Sequence, residues 1–569
     1  MTPSGSNVVT MPKPSNPNTD AAGHRSTQRG SALEKPSVVG TSDSDSLSAD
    51  AGVGARATSA EPSTEVFAVF GVEPEIQAYA MAKYSRSALS MKESLREIST
   101  QKAEKFLNTF YFQYGHRSIA DLAHIALAIE RLSILAAIEL ADEQRWDGQE
   151  RSTRYQDFRK SGYFTPDFGA DDEARKLYRE TLDFLFAEYE TLSAVMTDYL
   201  ISVTPKPADM KQEAYERTLK ARAFDITRYL LPLATNTSLG EIVNARTLEN
   251  QVAHLLSHTH REVRMLGESL KKAATGAAYN VNAESLQDLV AQIRAVSPEL
   301  GARAEQEFLR EVRVAPTLVK YADPSEYEMA TRRELRQAAQ ELMADEPLAP
   351  SKAIVDLLDE EPLEVEIATT LLYEHCHHSY RQIRQAVQVA GERRRREIID
   401  LGLRHRGKHD EMLRGFRAGQ QFRFDILMDT GGFRDMHRHR RCIQVMQSAT
   451  TRHGYEMLLD MEDAGARGRF DAAMRRVQAA VEKLAGRGTP EAEENSQYAI
   501  PLAFRKRALF KMDFAEAVYI SELRTTPAGH VSYRNVAYAM YEAVARKYPA
   551  LAKYFRVHDV TAPVDLLQR

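Results

Sequence analysis

Two short polar clusters carry most of the chemistry available to this 569-residue sequence. In Glu150-Arg151-Ser152-Thr153-Arg154-Tyr155, two hydroxyls lie between two guanidinium groups, with a carboxylate beside them. Arginine offers paired donors in a planar fork, and hydroxyls with backbone N–H groups complete a shell around a phosphate ester or similar oxyanion. The same six residues also read as a solvated turn with internal ion pairs. In Met436-His437-Arg438-His439-Arg440-Arg441 positive charge is dense, and the run follows Asp429-Thr-Gly-Gly-Phe433, whose glycines permit a tight turn. A flexible turn before a basic run suggests a second anion site, and a surface charge run is the alternative. Arg393–Arg396, flanked by Glu392 and Glu397, fits a solvated helix face better. His375-Cys376-His377-His378 is a poor metal site, because consecutive helical residues point in different directions, unlike an i, i+4 pair. No metal is expected. The sequence has no P-loop, dinucleotide-binding glycine fingerprint or His-Glu-x-x-His, and neither Cys376 nor Cys442 sits in a recognisable nucleophile setting.

Long segments with helical spacing must hold these clusters, as in Ile125, Leu127, Ile129, Leu132, Ile134, Leu135 and Ile138, and strand signals are sparse. Pro205 and Pro207 break one helical run, while Pro298, Pro316 and Pro324 punctuate the stretch between two well-patterned halves. Tyr229-Leu-Leu-Pro232-Leu-Ala returns as Tyr498-Ala-Ile-Pro501-Leu-Ala, each ending one helical segment and opening another at a matching place in its half. Gly115-His-Arg-Ser-Ile-Ala-Asp121 and Arg404-His-Arg-Gly-Lys-His-Asp410 each precede an amphipathic segment, and a polar cluster follows both. The expected organisation is two tandem modules, 62–315 and 316–569, behind a tail of residues 1–61. The Ser, Thr, Pro, Gly and Asp content of that tail leaves it too little to bury, so disorder is expected there.

Composition limits the alternatives. Hydrophobic residues at 43% and charged residues at 27% mark a globular chain rather than a disordered one. Lys+Arg 75 against Asp+Glu 80 leaves a net charge of -5, so no global attraction to nucleic acid or anionic membrane exists and any anion site is local. The two cysteines point to a reducing, cytoplasmic setting. Neither a secretory signal nor a membrane-spanning apolar run is expected.

On its motifs the chain resembles the flavin-dependent thymidylate synthases, in duplicated form, over most of both halves beyond residue 62. Members of that family carry Gly-His-x-Ser/Thr-x-x-Glu, then Arg-His-Arg with a Ser eight residues on. A Glu stands two before that Ser and Arg-Tyr begins two after it. Arg-x-x-Leu-Pro, Asn-Ala-Arg and a lone Arg follow. The first half keeps Gly115-His116-Arg117-Ser118-Ile-Ala-Asp121, Glu150, Ser152, Arg154-Tyr155, Arg228-Tyr-Leu-Leu-Pro232 and Asn244-Ala245-Arg246, with Asn250 four residues on. It has Asp142-Glu143-Gln144 in place of Arg-His-Arg and Leu255 in place of the lone Arg. The second half keeps Arg438-His439-Arg440, Ser448 and Arg524. There Met446, Thr450, Thr451, Gln497 and Asp513-Phe514-Ala515 replace the rest.

The resemblance implies an α+β fold, predominantly helical, of two tandem flavin-dependent thymidylate synthase-like modules. It also implies a composite site, since each half alone is incomplete. Glu150, Ser152, Arg154 and Arg228 would hold the phosphate and sugar of the nucleotide. Ser118, Glu150, Asn244, Arg246, Asn250, Arg438, His439 and Arg440 would bind flavin, and Arg524, the catalytic residue, would face the uracil. The implied reaction is reductive methylation of dUMP, or a related uracil nucleotide, at C5. It uses FAD, NADPH and methylenetetrahydrofolate and needs no enzyme nucleophile. Asp435, where the family usually has Gln against the substrate, leaves room for another pyrimidine or a modified nucleotide. The other reading is a non-catalytic nucleotide- or flavin-binding scaffold. The expected partners are a small-molecule nucleotide and a second copy, the homodimer of two-module chains giving a pseudo-tetramer.

Overall fold

The alternation of Ile125, Leu127 and Ile129 is a strand signal, not a helical one: these residues sit in β1 (His124–Ser133), and helix begins only at Ile134. Side chains two apart share one face of a strand, and Ile125 and Ile129 are both buried there. The computed structural model describes residues 69, 71–83, 92–93, 95, 117–320, 322–351, 353–407 and 410–567. The expected tail at 1–61, the Gly115-His116 pair, and Lys408 and His409 lie outside the described residues.

After α1 (Pro74–Lys83), the first module runs β1, α2 (Ile134–Ala141), β2 (Asp147–Glu150), α3 (Asp172–Val203), α4 (Gln212–Thr227), β3 (Asn236–Asn244), α5 (Ala245–Leu256) and α6 (Arg261–Thr275). The break at Pro205 and Pro207 separates α3 from α4. A helical pair, α7 (Ala283–Val296) and α8 (Pro298–Phe308), then leads to α9 (Glu326–Leu342). The second module adds β4 (Val355–Leu357), α10 (Leu363–Tyr373), α11 (Tyr380–Val389) and α12 (Gly391–Arg404). It then repeats the first order as β5 (Phe422–Asp429), α13 (Thr430–Met436), β6 (Ile443–Met446), α14 (Arg467–Ala485), α15 (Pro490–Gln497), β7 (Arg505–Met512), α16 (Phe514–Arg524) and α17 (Val531–Lys547).

Both sheets are antiparallel, in the orders β1-β3-β2 and β4-β5-β7-β6. Ile125 pairs with Val243 and Phe422 with Met512, which fixes the residue-by-residue match of the modules. A bulge at Arg131, whose φ is 61°, makes residues 125–133 one residue longer than the matching Phe422–Asp429. This register carries Arg117 and Ser118 to Arg414 and Gly415, so the sequence echo with Arg404–Asp410 is not a structural correspondence.

The Tyr229–Ala234 and Tyr498–Ala503 echo is the seam between the modules. Pro232 and Pro501 bridge antiparallel. Leu233 N donates to Ile500 O at 2.9 Å and Leu502 N to Leu231 O at 3.0 Å. Ala234 N donates to Tyr498 O at 2.8 Å and Ala503 N to Tyr229 O at 3.1 Å. Each bond has its counterpart with the modules exchanged, which is the signature of a local two-fold axis. Buried residues of both modules form one continuous core around it. Among the described residues no helix is long and apolar enough to cross a membrane.

The Thr430-Gly-Gly segment is helix rather than flexible turn. Asp429 caps α13, its Oδ1 accepting from Gly432 N at 2.6 Å. The glycines are there for close approach: a Cβ at Gly432 would meet Ser532 Oγ at 2.8 Å, and one at Gly431 would meet Tyr229 at 3.3 Å. The matching capping residue, Ser133, donates from Oγ to Glu262 at 2.6 Å, whereas Asp429 accepts from Ser532. Donor and acceptor have changed places between the modules at equivalent positions.

Candidate functional site

Asp225, on the last turn of α4, is buried and gathers basic side chains from both modules. It accepts from Arg154 Nε at 3.0 Å and Nη2 at 3.2 Å, and His530 Nδ1 approaches at 3.1 Å. Arg228 Nε lies 3.4 Å away. Burial alone would push this carboxyl up, but His530, Arg228 and Arg154 outweigh it and hold Asp225 well below the usual carboxylate range. Burial opposes the charge on Arg154 as well, and Asp225 more than compensates.

The second module closes over this group. Arg154 Nη1 donates to Tyr533 Oη at 3.1 Å and Nη2 to Ala528 O at 3.1 Å. Arg524, the last residue of α16, lies against the same Tyr533 ring, 5.5 Å from its centroid, with Arg154 at 5.7 Å. Arg524 Nε donates to His439 Nε2 at 2.8 Å, so that nitrogen carries no proton. Burial lowers the His439 pKa, consistent with a neutral ring, and its Nδ1 faces Glu516 at 3.6 Å. On α13, Arg434 donates to Thr153 Oγ1 at 3.2 Å and to Glu150, and Asp435 lies 3.8 Å from Arg228 Nη1.

Arg228 is 2% exposed; its Nε faces Asp225, but its Nη2, like Arg434 Nε, has no hydrogen-bond partner among the described residues. Buried guanidinium donors left unmet are what an incoming oxyanion satisfies, as in the fork geometry of arginine with phosphate. Of the residues expected to hold nucleotide, the structure brings Glu150, Arg154, Arg228 and Arg524 into one cluster. Ser152 is beside them, its Oγ accepting from Arg154 N at 3.2 Å.

The residues expected to hold flavin are divided. Arg438 is exposed near Arg524, and Arg440 stacks on Trp146 at 4.2 Å. Ser118 is exposed on the turn Arg117–Leu122, and Asn244 caps α5 by accepting from Thr247 N at 2.8 Å. Arg246 pairs with Asp121 at 3.2 Å and Asn250 reaches Glu411 at 3.4 Å. The positions matching Asn244 and Asn250 near the retained Arg-His-Arg are Asp513, 3.4 Å from Arg441, and Tyr519, whose ring is 5.7 Å from that of His439. Within one chain, the intact Arg-His-Arg faces the altered Asn-Ala-Arg segment. Asp142, in the altered Arg-His-Arg of the first module, is tied up by Arg414 at 2.5 Å.

At the symmetry-related place lies an open cleft of about 1110 Å³, lined by Asn250 but by none of Arg438, His439 and Arg440. Here Leu255 stands for Arg524, Gln497 for Arg228, Ile138 for Arg434 and Glu139 for Asp435. Sequence reasoning missed Asp225, Arg434, His530 and Tyr533. None lies in a motif, and only the spacing of three from Asp225 to Arg228 hinted that the two share a helical face.

Two segments, 70–278 and 354–550, match the family model described as thymidylate synthase complementing protein. A UPF0159 protein of Chlamydia pneumoniae is 26% identical over 530 residues, 88% of this chain and 93% of that protein. A flavin-dependent thymidylate synthase of Clostridium tetani is 25% identical over 210 residues, 37% of this chain and 80% of that protein. Among solved structures, the UMP/dUMP methylase PolB from Streptomyces cacaoi bound with 5-Br dUMP aligns to 35% of this chain and 84% of that chain, at 16% identity and a TM-score of 0.26.

Proposed function

The chain belongs to the thymidylate synthase complementing protein family, and we propose that it binds a uracil nucleotide between its modules and serves flavin-dependent methylation of that nucleotide at C5. The observation that carries this reading is the meeting of Arg154 and Arg524, one from each module, on the ring of Tyr533. Arg228, with its buried Nη2 unpartnered among the described residues, and the Ser152 hydroxyl would hold the phosphate. Arg524, kept in place by His439, would stabilise negative charge developing on the uracil ring, an electrostatic role worth about 3–4 kcal/mol in a dry site. Bound FAD would supply hydride, with NADPH and methylenetetrahydrofolate as co-substrates.

Because Asn244, Arg246 and Asn250 make no described contact with Arg438–Arg440 in one chain, a flavin site would be completed by a second copy, as a homodimer of cytoplasmic chains. That same division favours a second reading, a nucleotide-binding scaffold without flavin chemistry. Purified full-length protein separates them. Flavin absorbance that persists through gel filtration, with growth of a thymidine auxotroph on medium without thymidine, supports the enzyme. Protein that binds dUMP yet takes up no FAD and rescues no growth supports the scaffold.

A further inference from the structure

The open cleft opposite the nucleotide site has lost the cations that mark its counterpart, with Leu255, Gln497 and Ile138 in the places of three arginines. Among the described residues, thirteen Asp and Glu side chains line it, against six Arg and Lys. Groups of both signs are engaged: Arg414 with Asp142 at 2.5 Å, Arg336 with Glu494 at 3.6 Å, Arg332 with Ser257 O at 2.9 Å, Glu328 with His254 at 2.8 Å and Asp323 with Lys271 at 3.0 Å, which leaves carboxylates in excess. Seven histidines complete the lining, and burial holds His260, His375 and His377 at about 3, 4 and 3, so these three add no charge near neutrality.

A second observation shows which way the missing hydrogen bonds run. Gln251 and Gln447 line the cleft at 3% and 1% exposure. Their amide nitrogens are committed, Gln251 Nε2 to Leu140 O at 3.1 Å and Gln447 Nε2 to His378 O at 2.8 Å. That fixes each amide's orientation and leaves both Oε1 atoms buried and unpartnered. An unmet carbonyl oxygen accepts only, so a group that meets these two oxygens must donate. Leu135, Ile138, Leu255, Leu335 and Met446 supply apolar wall between the polar groups.

We infer that this cleft is a binding site for a linear polyamine, an organic polycation whose ammonium groups meet the carboxylates and amide oxygens and whose methylenes lie on the apolar wall. Its volume of about 1110 Å³ accommodates an extended ligand of that class. The inference does not rest on the methylation reading, because the cleft and the nucleotide site share no described arginine. An anion would meet the excess of carboxylates and leave the buried acceptors unmet.

Isothermal titration of spermidine into the full chain at two salt concentrations tests the proposal. The expected result is saturable binding near one equivalent, weakened about fivefold by Glu374→Gln, a carboxylate of the cleft wall, in protein shown to be folded by circular dichroism. A second variant, Leu255→Arg, restores the cation of the counterpart site and should abolish binding in protein shown to be folded by circular dichroism. Non-saturating heats, undiminished binding in Glu374→Gln, or tighter binding of inorganic phosphate than of spermidine would overturn it. Failure here leaves dUMP binding unaffected, and failure of dUMP binding leaves this result standing.

Discussion

The guanidinium groups of Arg154 and Arg524 lie against one ring, that of Tyr533, at 5.7 and 5.5 Å from its centroid. Each arginine comes from a different module, and each module has lost the other's arginine: Thr450 stands for Arg154 and Leu255 for Arg524. Two partial copies therefore make one complete constellation, and the second constellation, across the local two-fold axis, has become an acidic cleft.

Replacing Arg524 by Leu copies the first module into the second. If Arg524 stabilises charge on the uracil ring, methylation should fall by about a hundredfold or more, while flavin absorbance per chain is unchanged. Steady-state rates beside the flavin spectrum check this. A variant that turns over at the wild-type rate would remove Arg524 from the chemistry.

The exchanged cap pairs predict a rescue. Asp429→Ala deletes the cap of α13 and strands Ser532, and should cost about 1–2 kcal/mol in denaturant unfolding. Asp429→Ser combined with Ser532→Glu transplants the Ser133–Glu262 pair of the first module and should recover most of that loss. A double variant no more stable than Asp429→Ala would show that the two contacts are not interchangeable.

Glu241 gives a pH dependence. It is buried on β3, with Gln251 Nε2 at 3.3 Å, and burial pushes its carboxyl from 4.5 up to about 7. The folded state thus holds this proton more tightly than the unfolded chain does. The stability it contributes is present below about pH 4.5 and is lost as pH rises through about 7. Glu241→Gln should be more stable than the wild type by on the order of 2–3 kcal/mol at pH 8, with the gap closing towards pH 4.5. Urea midpoints across that range check the slope, and a gap independent of pH would contradict it.

Much of this architecture is legible in the sequence because its signals are local and repeated. The Pro232 and Pro501 echo marks the seam, and the paired motif losses mark which side chains belong together. Ile125–Leu132 misleads because one strand and one helix follow each other without a break, and the combined run imitates helical spacing. Thr430-Gly-Gly reads as a turn until the neighbouring Ser532 and Tyr229 show why no Cβ fits. Asp225, His530 and Tyr533 stay hidden because burial against a distant segment, not sequence spacing, makes them part of the site. The flavin set shows the opposite limit: among the described residues Asn244, Arg246 and Asn250 engage Thr247, Asp121 and Glu411, while Arg440 engages Trp146 and Asp147.

The proposed nucleotide site between the modules is tested most directly by dUMP binding to three proteins measured side by side: wild type, Arg228→Gln and Arg524→Leu. One substitution lies in each module, and each installs the residue found at the matching position of the other. The account predicts that the wild type binds one dUMP per chain and that both variants bind at least tenfold more weakly, a loss of about 1.4 kcal/mol or more. A wild type that binds no dUMP, or either variant binding as well as the wild type, would contradict a site built from both modules.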